Sequence, residues 1–430
     1  MLHSLVDTAL SEVRLFMYRA PEHLQDKLDV QAKHADCHRV RAKHPWINLE
    51  MALWSMLPNV VWTENPANAT FFVVPHSYLG HKCTANAGIT KSYIRDGLTP
   101  FFRYIYYVEP YFNRSGGRDH VTTWIYENGP LCDCGLRTAM AEDPIVSAML
   151  MAMSKVGYWA HKDADMFGWR PGIDIAMPQY GAVSDSLPPP PTWIEMAAQT
   201  KFSFGFAGSF WGDKVGCPAS DKHAAPGSLG AYHQCSCSPG VRVWLKQYLG
   251  AHCNQTNFTT ARCDMVNGGG MGTSWYALCP AGWACWSSRL FHAIDRLVVP
   301  VIMANGAIQP FESILDWEKF AMRVNTVPLI AGNTSQLDWL HHTARAAERH
   351  CSGCRTCKTC THHPLVKRVR RLEQVRPWFL YSKTNPYSAI GLFVLELHCR
   401  QYYRKNGVGD GTCNRLSYFN DAVTSSDDDE

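Results

Sequence analysis

The chain has 430 residues, which exceeds the size of one ordinary hydrophobic core and predicts two lobes. Its composition, with 46% hydrophobic, 12% aromatic and 18% charged residues, is typical of a folded globular protein. A formal net charge of +4 indicates no strong electrostatic preference for nucleic acid, and no run of 18 apolar residues is present that could span a membrane.

The first half of the chain alternates between strand-like and helix-like segments. Apolar runs typical of buried strands are followed along the chain by polar or amphipathic stretches, and "WINLEMALWSML" (46–57) has a helical pattern. Such alternation predicts βαβ units and a mainly parallel sheet. The predicted strands are "RLFMY" (14–18), "ATFFVVP" (69–75), "HVTTWIY" (120–126) and "IDIAMP" (173–178).

A break follows at "SDSLPPPPTW" (184–193), because four consecutive prolines cannot continue a helix or a central strand. A second alternating set then begins with "FSFGFAG" (202–208) and continues through "VVPVIMA" (298–304). We therefore expect two α/β lobes joined near residue 190, with a ligand-binding cleft beyond the carboxyl ends of the strands. The expected division is 1–190, 191–345 and a Cys-rich, helical C-terminal segment with an acidic tail, 346–430.

The segment "WYALCPAGWACWSSRLFHAIDRLVVPVIMAN" (275–305) reads as strand, tight loop, helix and strand. Gly282 permits a tight turn, and Ser287 or Ser288 can cap the helix. A helix N-terminus with Arg289 in its first turn is suited to bind a diphosphate. The side chain of His292 is expected to point back toward that loop. The alternative is an ordinary βα turn with a histidine on the helix surface.

These residues resemble the exostosin-type glycosyltransferases of family 47. The donor loop of that family reads Cys-Pro-x-Gly-Trp, then Trp-Ser-Pro-Arg-Leu, a Pro-Val-Ile strand and a Leu-Pro-Phe segment. This chain has "CPAGWACWSSRLFHAI", "VPVIMAN" and "QPFESILDW", and its loop is most similar to the plant xylan-synthesising branch. Upstream, "NPANATFFVVPHSY", "PYFNRSGGRDHVTTWIYENG" and "IDIAMPQY" also resemble family segments, in family order, between about residues 14 and 340.

The resemblance implies a GT-B fold, in which two Rossmann-like lobes face each other across a cleft. It implies transfer with inversion from a nucleotide sugar, usually linked to uridine diphosphate, to a polysaccharide or glycoprotein glycan in the Golgi lumen. No metal or other cofactor is implied, because basic residues carry the diphosphate charge. Another glycosyltransferase chain is a possible partner, whereas nucleic acid is not expected. The donor-side candidates are Gly208, Arg242, Gly282, Ser288, Arg289, His292 and Glu312.

The chain departs from the family pattern at three places, all of them in the part of the sequence expected to bind the nucleotide. The family has a glutamate at position 292, which suits both ribose hydroxyls, whereas neutral His292 offers one acceptor nitrogen. No glycine precedes the Pro-Val-Ile strand, and a family pair of aspartates aligns with Asn305 and Gly306. The competing hypothesis is therefore a catalytically weakened GT-B scaffold that binds glycan or supports an active partner.

Inverting transfer needs a base for the acceptor hydroxyl, which we expect from the N-terminal lobe. Glu127 follows the 120–126 strand at its carboxyl end and is the preferred base; His76 is the second candidate. Asp119 lies about 25 Å from Glu127 if the strand is extended, so both cannot reach one sugar. Asp119 is expected to be structural, with Arg114 and Arg118. Tyr126 and Tyr180 are acceptor-side candidates, and Trp124 could also offer an aromatic face to a sugar.

Seventeen cysteines and five N-x-S/T sequons, at Asn68, Asn113, Asn254, Asn257 and Asn333, favour a lumenal protein whose N-terminal anchor is missing over a cytosolic one. "HCSGCRTCKTCTHHP" places four cysteines at C-x2-C-x2-C-x2-C spacing. Disulfides are expected there, with zinc, an iron–sulfur cluster or free thiols as alternatives. These four are Cys351, Cys354, Cys357 and Cys360.

Overall fold

The computed structural model describes most of two α/β regions and the helices that cover them. The described residues are 2–28, 49–76, 93–124, 145, 149–153, 174–178, 192–206, 241–242, 244–245, 265–267, 272–280, 287, 289–305, 307–351 and 358–406. The chain forms two compact units. The first comprises Met1–Leu187, Ile308–Leu315 and Leu380–Glu430; the second comprises Pro188–Ala307 and Asp316–Phe379.

The first unit contains a five-stranded sheet in which every neighbouring pair is parallel. Its strands lie in chain order, β1 (Leu15–Met17), β2 (Phe71–Val73), β3 (His120–Trp124), β4 (Leu150–Met153) and β5 (Ile175–Ala176). β2 and β3 are buried along their whole length, which fits their lack of polar alternation. The four strands predicted from the sequence are confirmed, and β4 is an additional one.

Helices precede or separate these strands. They are α1 (Leu2–Glu12), α2 (Glu22–Leu28), α3 (Leu49–Met56) and α4 (Thr99–Tyr107), which a π-helical turn (Tyr93–Leu98) precedes; short 3₁₀ turns lie at Asn59–Val61, Pro66–Asn68 and Phe112–Arg114. The helix predicted over 46–57 is confirmed as α3. α4 buries Phe101, Phe102 and Ile105 on one face, and these side chains fill the core of the first unit.

The second unit contains another fully parallel sheet. Its strands are β6 (Phe202–Phe206), β7 (Met265–Asn267), β8 (Ser274–Pro280), β9 (Val299–Met303) and β10 (Met322–Arg323), in the spatial order β10-β9-β8-β6-β7. With these five strands renumbered 1 to 5 in chain order, their spatial order is 2-1-3-4-5, as in flavodoxin-like sheets, and the strand order reverses between β6 and β8. The prediction of a mixed α/β protein with parallel sheets is confirmed.

The helices of the second unit begin just after the four-proline run. They are α5 (Trp193–Gln199), α6 (Arg289–Asp295), α7 (Thr326–Ile330), α8 (Ser335–Cys351), α9 (Lys358–Thr361) and α10 (Pro364–Val375), with 3₁₀ turns at Trp317–Lys319 and Arg376–Phe379. Thr192 and Glu195 form a reciprocal capping box at the start of α5. A disulfide joins Cys351 at the end of α8 to Cys360 in α9.

The last part of the chain returns to the first unit, so its organisation differs from three consecutive segments. Helix α11 (Ala389–Asn406) packs against α1, and His398 of α11 pairs with Glu12. The buried Arg400 guanidinium binds Glu396 and the carbonyl oxygen of Asp174. Contacts between residues that are distant in the chain hold the C-terminal helix in the first unit, so local sequence patterns do not predict this arrangement. Among the described residues no helix has both the length and the apolarity to cross a membrane.

Candidate functional site

The site suggested by the fold of the second unit lies where β6 and β8 end side by side. Phe206 is the last residue of β6 and Pro280 the last of β8, and the strand order of the sheet reverses between these two parallel strands. In open parallel sheets ligands bind beyond the carboxyl ends of the strands at such a reversal. The predicted donor residues Gly208 and Gly282 follow these strands in the sequence, but both lie outside the described residues, as does Ser288.

Two arginines approach this edge of the sheet. Arg242 is buried, and its Nη2 atom lies 3.5 Å from the carbonyl oxygen of Pro280. Arg289 opens α6, with its guanidinium carbon 5.1 Å from the centroid of the Phe206 ring and its Nη1 atom donating to Ser287 Oγ at 3.3 Å. The structure therefore brings two of the seven predicted donor-side residues, Arg242 and Arg289, to the ends of β8 and β6.

Partial removal of water from these two cations affects their pKa values. Burial, and then the positive charge of Arg289, lower the pKa of Arg242 to about 10. Burial also lowers the pKa of Arg289, whose Nε atom is buried without a hydrogen-bond partner among the described residues. Guanidinium groups nevertheless stay charged at neutral pH. Arg242 is buried and Arg289 is half-buried, so both cations have lost part of their hydration, and a ligand with negative charge would suit this edge of the sheet.

The thiol of Cys279 lies next to these groups, on β8. Burial raises its pKa to about 12, against an opposing effect of the Arg289 charge. A buried protonated thiol is a poor nucleophile, so Cys279 packs in the core rather than contributing chemistry.

His292 lies one turn beyond Arg289 on α6, with its side chain exposed. Nearby protein atoms displace part of the water around the ring, and this desolvation lowers the pKa of His292, with a smaller contribution from the charge of Arg296. The imidazole is therefore neutral at neutral pH. A neutral imidazole accepts one hydrogen bond.

Asn305, which aligns with a family aspartate, connects the end of β9 to the start of α7. Its Oδ1 atom accepts from the backbone N–H of Thr326 at 3.1 Å, and its Nδ2 atom donates to Asn325 Oδ1 at 3.0 Å. Asn325 in turn caps α7 through the N–H of Val327. The amide at position 305 serves as donor and acceptor at once, which a carboxylate cannot do.

In the first unit, the candidate base His76 follows β2 and is buried among aromatic rings. Its ring lies 4.3 Å from that of Trp124, the last residue of β3, and 6.4 Å from that of Phe102. Trp124 is fully buried in this cluster, so of its two expected roles, a face for sugar or a core residue, the structure supports core packing. The cluster brings the carboxyl ends of β2 and β3 together, with His76 as the titratable group between them.

A second buried network lies around Asp119. Its carboxylate accepts hydrogen bonds from Arg114 Nη2 (2.9 Å), His120 Nδ1 (2.7 Å) and the Ser115 hydroxyl. The other ring nitrogen of His120 is 3.0 Å from the hydroxyl of Tyr18. Burial alone would raise the pKa of Asp119, but these hydrogen bonds outweigh it and the pKa is lowered. A carboxylate held in this way by its own unit supports the structural role predicted for Asp119.

Four further predicted site residues are the preferred base, two acceptor-side tyrosines and one donor-side glutamate. The preferred base Glu127 and the acceptor-side candidates Tyr126 and Tyr180 lie outside the described residues. Glu312 is exposed and belongs to the first unit, where its carboxylate accepts from the backbone N–H of Gln309 at 2.8 Å. A backbone N–H of the first unit therefore binds this carboxylate, whereas the sequence predicts that Glu312 binds the donor.

The cysteine motif is partly described. The disulfide prediction is confirmed for Cys351 and Cys360, which excludes a four-cysteine metal site in this state. Cys354 and Cys357 lie outside the described residues. Within the described part of the chain, no group of three His, Cys, Asp or Glu side chains is arranged to hold a metal ion.

Comparison with known proteins gives a consistent family assignment. A family model described as the exostosin GT47 domain matches residues 9–329, three quarters of the chain. A probable glucuronosyltransferase of Oryza sativa subsp. japonica is 27% identical over 270 residues, which cover 60% of this chain and 55% of the relative. A probable glucuronoxylan glucuronosyltransferase of Arabidopsis thaliana is 23% identical over 319 residues, or 73% of this chain and 61% of the relative.

A shorter stretch is more similar still. A probable beta-1,4-xylosyltransferase of Arabidopsis thaliana is 41% identical over 49 residues, 11% of this chain and 12% of that protein. The chain spans only a little over half the length of the first curated relatives that it matches. These relatives agree with the resemblance to the plant xylan-synthesising branch.

Proposed function

Because the chain belongs to the exostosin GT47 family, we propose that it is a glycosyltransferase that uses a uridine diphosphate sugar as donor. Transfer would proceed with inversion to a polysaccharide or a glycoprotein glycan, in the Golgi lumen. The first donors to test are glucuronosyl and xylosyl nucleotides, since relatives carry those activities in their names. The two units would act as the facing lobes of a GT-B enzyme.

The observation that carries this proposal is the pair of arginines, the buried Arg242 and the half-buried Arg289, at the ends of β8 and β6. A nucleoside diphosphate would bring negative charge to these two cations. As the glycosidic bond to the diphosphate breaks, further negative charge develops on the leaving oxygen, and fixed guanidinium groups stabilise it without reorganisation. The arginines would thus supply the role that a metal ion has in other transferases, so activity should persist in the presence of a chelator.

The acceptor side of the mechanism rests on the first unit. Glu127 would remove the proton of the acceptor hydroxyl as that oxygen attacks the anomeric carbon from the face opposite the diphosphate. His76 is the alternative base, because it follows β2 and lies beside Trp124. Tyr126 and Tyr180 would contact the acceptor sugar.

The second candidate function is a GT-B scaffold with weakened catalysis that works beside an active transferase. Two features support it: the resemblance to the family implies a glutamate where this chain has His292, and it implies an aspartate where Asn305 binds the start of α7. A scaffold of this kind would still contain the arginine pair, so nucleotide binding and sugar transfer have to be measured separately.

Thermal unfolding with uridine diphosphate tests the donor site. At about 100 times its dissociation constant, the nucleotide should add about 2.7 kcal/mol to the stability of the second unit. Arg289→Gln should abolish this shift, whereas Arg345→Gln, in a partly exposed ion pair on α8, should retain it. Absence of any shift with nucleoside diphosphates would contradict the proposal. A shift without transfer or hydrolysis of any nucleotide sugar would favour the scaffold.

A further inference from the structure

The sequon Asn333-Thr334-Ser335 lies at the surface of the second unit, in the turn between α7 and α8. The turn is made possible by Gly332, whose φ of +94° is in the left-handed region that favours glycine. Asn333 and Ser335 are both exposed. The Oδ1 atom of Asn333 accepts from the N–H of Ser335 at 3.1 Å, and its Nδ2 atom makes no hydrogen bond within the described part of the chain.

This sequon differs from the two others that the structure describes. The hydroxyl that completes the Asn68 sequon, on Thr70, bonds with both the N–H and the carbonyl oxygen of Arg14. The hydroxyl that completes the Asn113 sequon, on Ser115, donates to the buried carboxylate of Asp119. Among the described sequons, only that of Asn333 leaves both the acceptor amide nitrogen and the required hydroxyl accessible on the folded surface.

An exposed tryptophan lies beside this sequon. Trp339 is 56% exposed, and it is four residues after Ser335 on α8, so the two side chains share a helix face about 6 Å apart along the axis. Val327 on α7 is also 56% exposed. Large aromatic side chains expose a flat apolar face that is more stable when covered, and the C–H face of a pyranose ring has a matching shape.

We propose that Asn333 carries an N-linked glycan whose first N-acetylglucosamine residues cover Trp339. The Nδ2 atom of Asn333 would bond to the anomeric carbon of a lipid pyrophosphate-linked oligosaccharide. The bond from that carbon to the phosphate oxygen breaks, the lipid pyrophosphate leaves, and the amide proton passes to a base of the transferring enzyme. The disulfide at the far end of α8 is of the kind that persists in oxidising compartments, and the proposed lumenal location would supply such donors.

Glycan mapping tests the attachment. The chain is secreted from a eukaryotic host and treated with peptide N-glycosidase in heavy-oxygen water, which converts a glycosylated asparagine to labelled aspartate. Labelled aspartate is expected at position 333, and both Asn333→Gln and Ser335→Ala should remove the label, while Ser335→Thr keeps it. An unlabelled peptide at position 333 in the secreted, folded chain would overturn the proposal.

Oxidation of Trp339 tests the contact between glycan and ring. N-bromosuccinimide should oxidise Trp339 several times faster in Asn333→Gln than in the glycosylated chain, with thermal unfolding used to confirm that both are folded. Equal oxidation rates would refute the covering of Trp339. Neither measurement depends on nucleotide binding or transfer, so failure here is distinguishable from failure of the proposed activity.

Discussion

Arg376 fixes the end of α6 through Asp295. Its Nε atom donates to the backbone carbonyl oxygen of Asp295 at 3.0 Å, and its Nη2 atom donates to the carboxylate of the same residue at 2.5 Å. Arg376 is buried, whereas Asp295 keeps partial solvent contact. The pair joins the turn after α10 to the C-terminal end of α6, the helix that begins at Arg289 and exposes His292.

Replacing Arg376 should therefore weaken the second unit and its ligand site together. Arg376→Gln loses a charge-assisted pair and leaves Asp295 partly unpaired, which should cost about 1 to 3 kcal/mol in free energy of unfolding. Calorimetric titration should also show weaker binding of uridine diphosphate, because Arg289 is held less firmly. Arg345→Gln is the matched control, since it disrupts a partly exposed pair and should change both quantities little. Unchanged nucleotide affinity in a destabilised Arg376→Gln would limit Arg376 to folding.

The Asp119 network predicts a pH dependence for the first unit. The pKa of Asp119 in the folded chain lies below its ordinary value of 3.8. Its contribution to stability is therefore complete above about pH 4 and is lost as the pH falls through the folded-state pKa. Asp119→Asn should cost about 2 to 4 kcal/mol at neutral pH, and the difference from wild type should narrow in acid.

Hydrogen exchange of the β3 amides measures this effect in the first unit alone, which matters because a chain with two units need not unfold in one step. Glu348→Gln in the second unit serves as the control, and it should leave the exchange of β3 unchanged at every pH. A constant difference between Asp119→Asn and wild type from neutral pH to below pH 4 would mean that Asp119 does not titrate as inferred.

Much of the fold could be predicted from local patterns, because buried parallel strands are runs of β-branched and aromatic residues. β2, β3, β6, β8 and β9 all lie within segments that were predicted from their composition. β4, with the sequence Leu-Met-Ala-Met, has no β-branched residue, and β7, with the sequence Met-Val-Asn, has only one, so neither gives a clear signal. The return of α11 to the first unit depends on contacts with α1 that no window of sequence contains.

The candidate site was predictable only in part, for a similar reason. The family resemblance identified Arg242 and Arg289, and the sheet brings them to one edge because β6 and β8 are neighbours in space. The burial of Trp124 against His76, and the bond between Tyr18 and His120, depend on side chains from separate strands. A residue type and a position at a strand end do not reveal whether a side chain faces solvent or the core.

The Cys351–Cys360 disulfide predicts a measurable loss of stability on removal. It closes a short loop, with a sequence separation of 9 residues, and the loop-entropy relation gives about 2.5 kcal/mol for such a closure. Cys351→Ser together with Cys360→Ser should lower the unfolding temperature of the second unit accordingly. Mass analysis under non-reducing conditions should show both thiols blocked to alkylation. One equivalent of zinc bound at this motif and lost on chelation would contradict the disulfide.

Glu127→Gln tests the proposed base. Glutamine is nearly isosteric with glutamate but cannot take a proton, so transfer should fall by about 10²-fold or more while nucleotide binding is retained. A parallel variant, His76→Gln, should mainly lower stability, because His76 packs against Trp124 and Phe102 in the core. Full activity in Glu127→Gln, together with strong loss of transfer in a folded His76→Gln, would move the assignment to His76.

His292→Glu tests how much the histidine at position 292 weakens the binding of uridine diphosphate. A carboxylate can accept hydrogen bonds from both ribose hydroxyls, whereas the neutral imidazole accepts one, and a charge-assisted bond is worth about 1.5 to 3 kcal/mol. One net bond gained should tighten uridine diphosphate binding about tenfold or more. The substitution should preserve the fold, because His292 is exposed on α6 and Arg289 and Arg296 can offset the new negative charge.

Calorimetric titration of three forms separates charge from hydrogen bonding at this position. His292→Gln, which offers a neutral acceptor, should bind uridine diphosphate about as well as the wild type, and His292→Glu should bind it better than both. Because the pKa of His292 is lowered, the affinity of the wild type should not change between pH 7 and pH 8 through this residue. If His292→Glu binds no better than His292→Gln, the side chain at position 292 does not contact the ribose, and the departure from the family carries no cost for the donor.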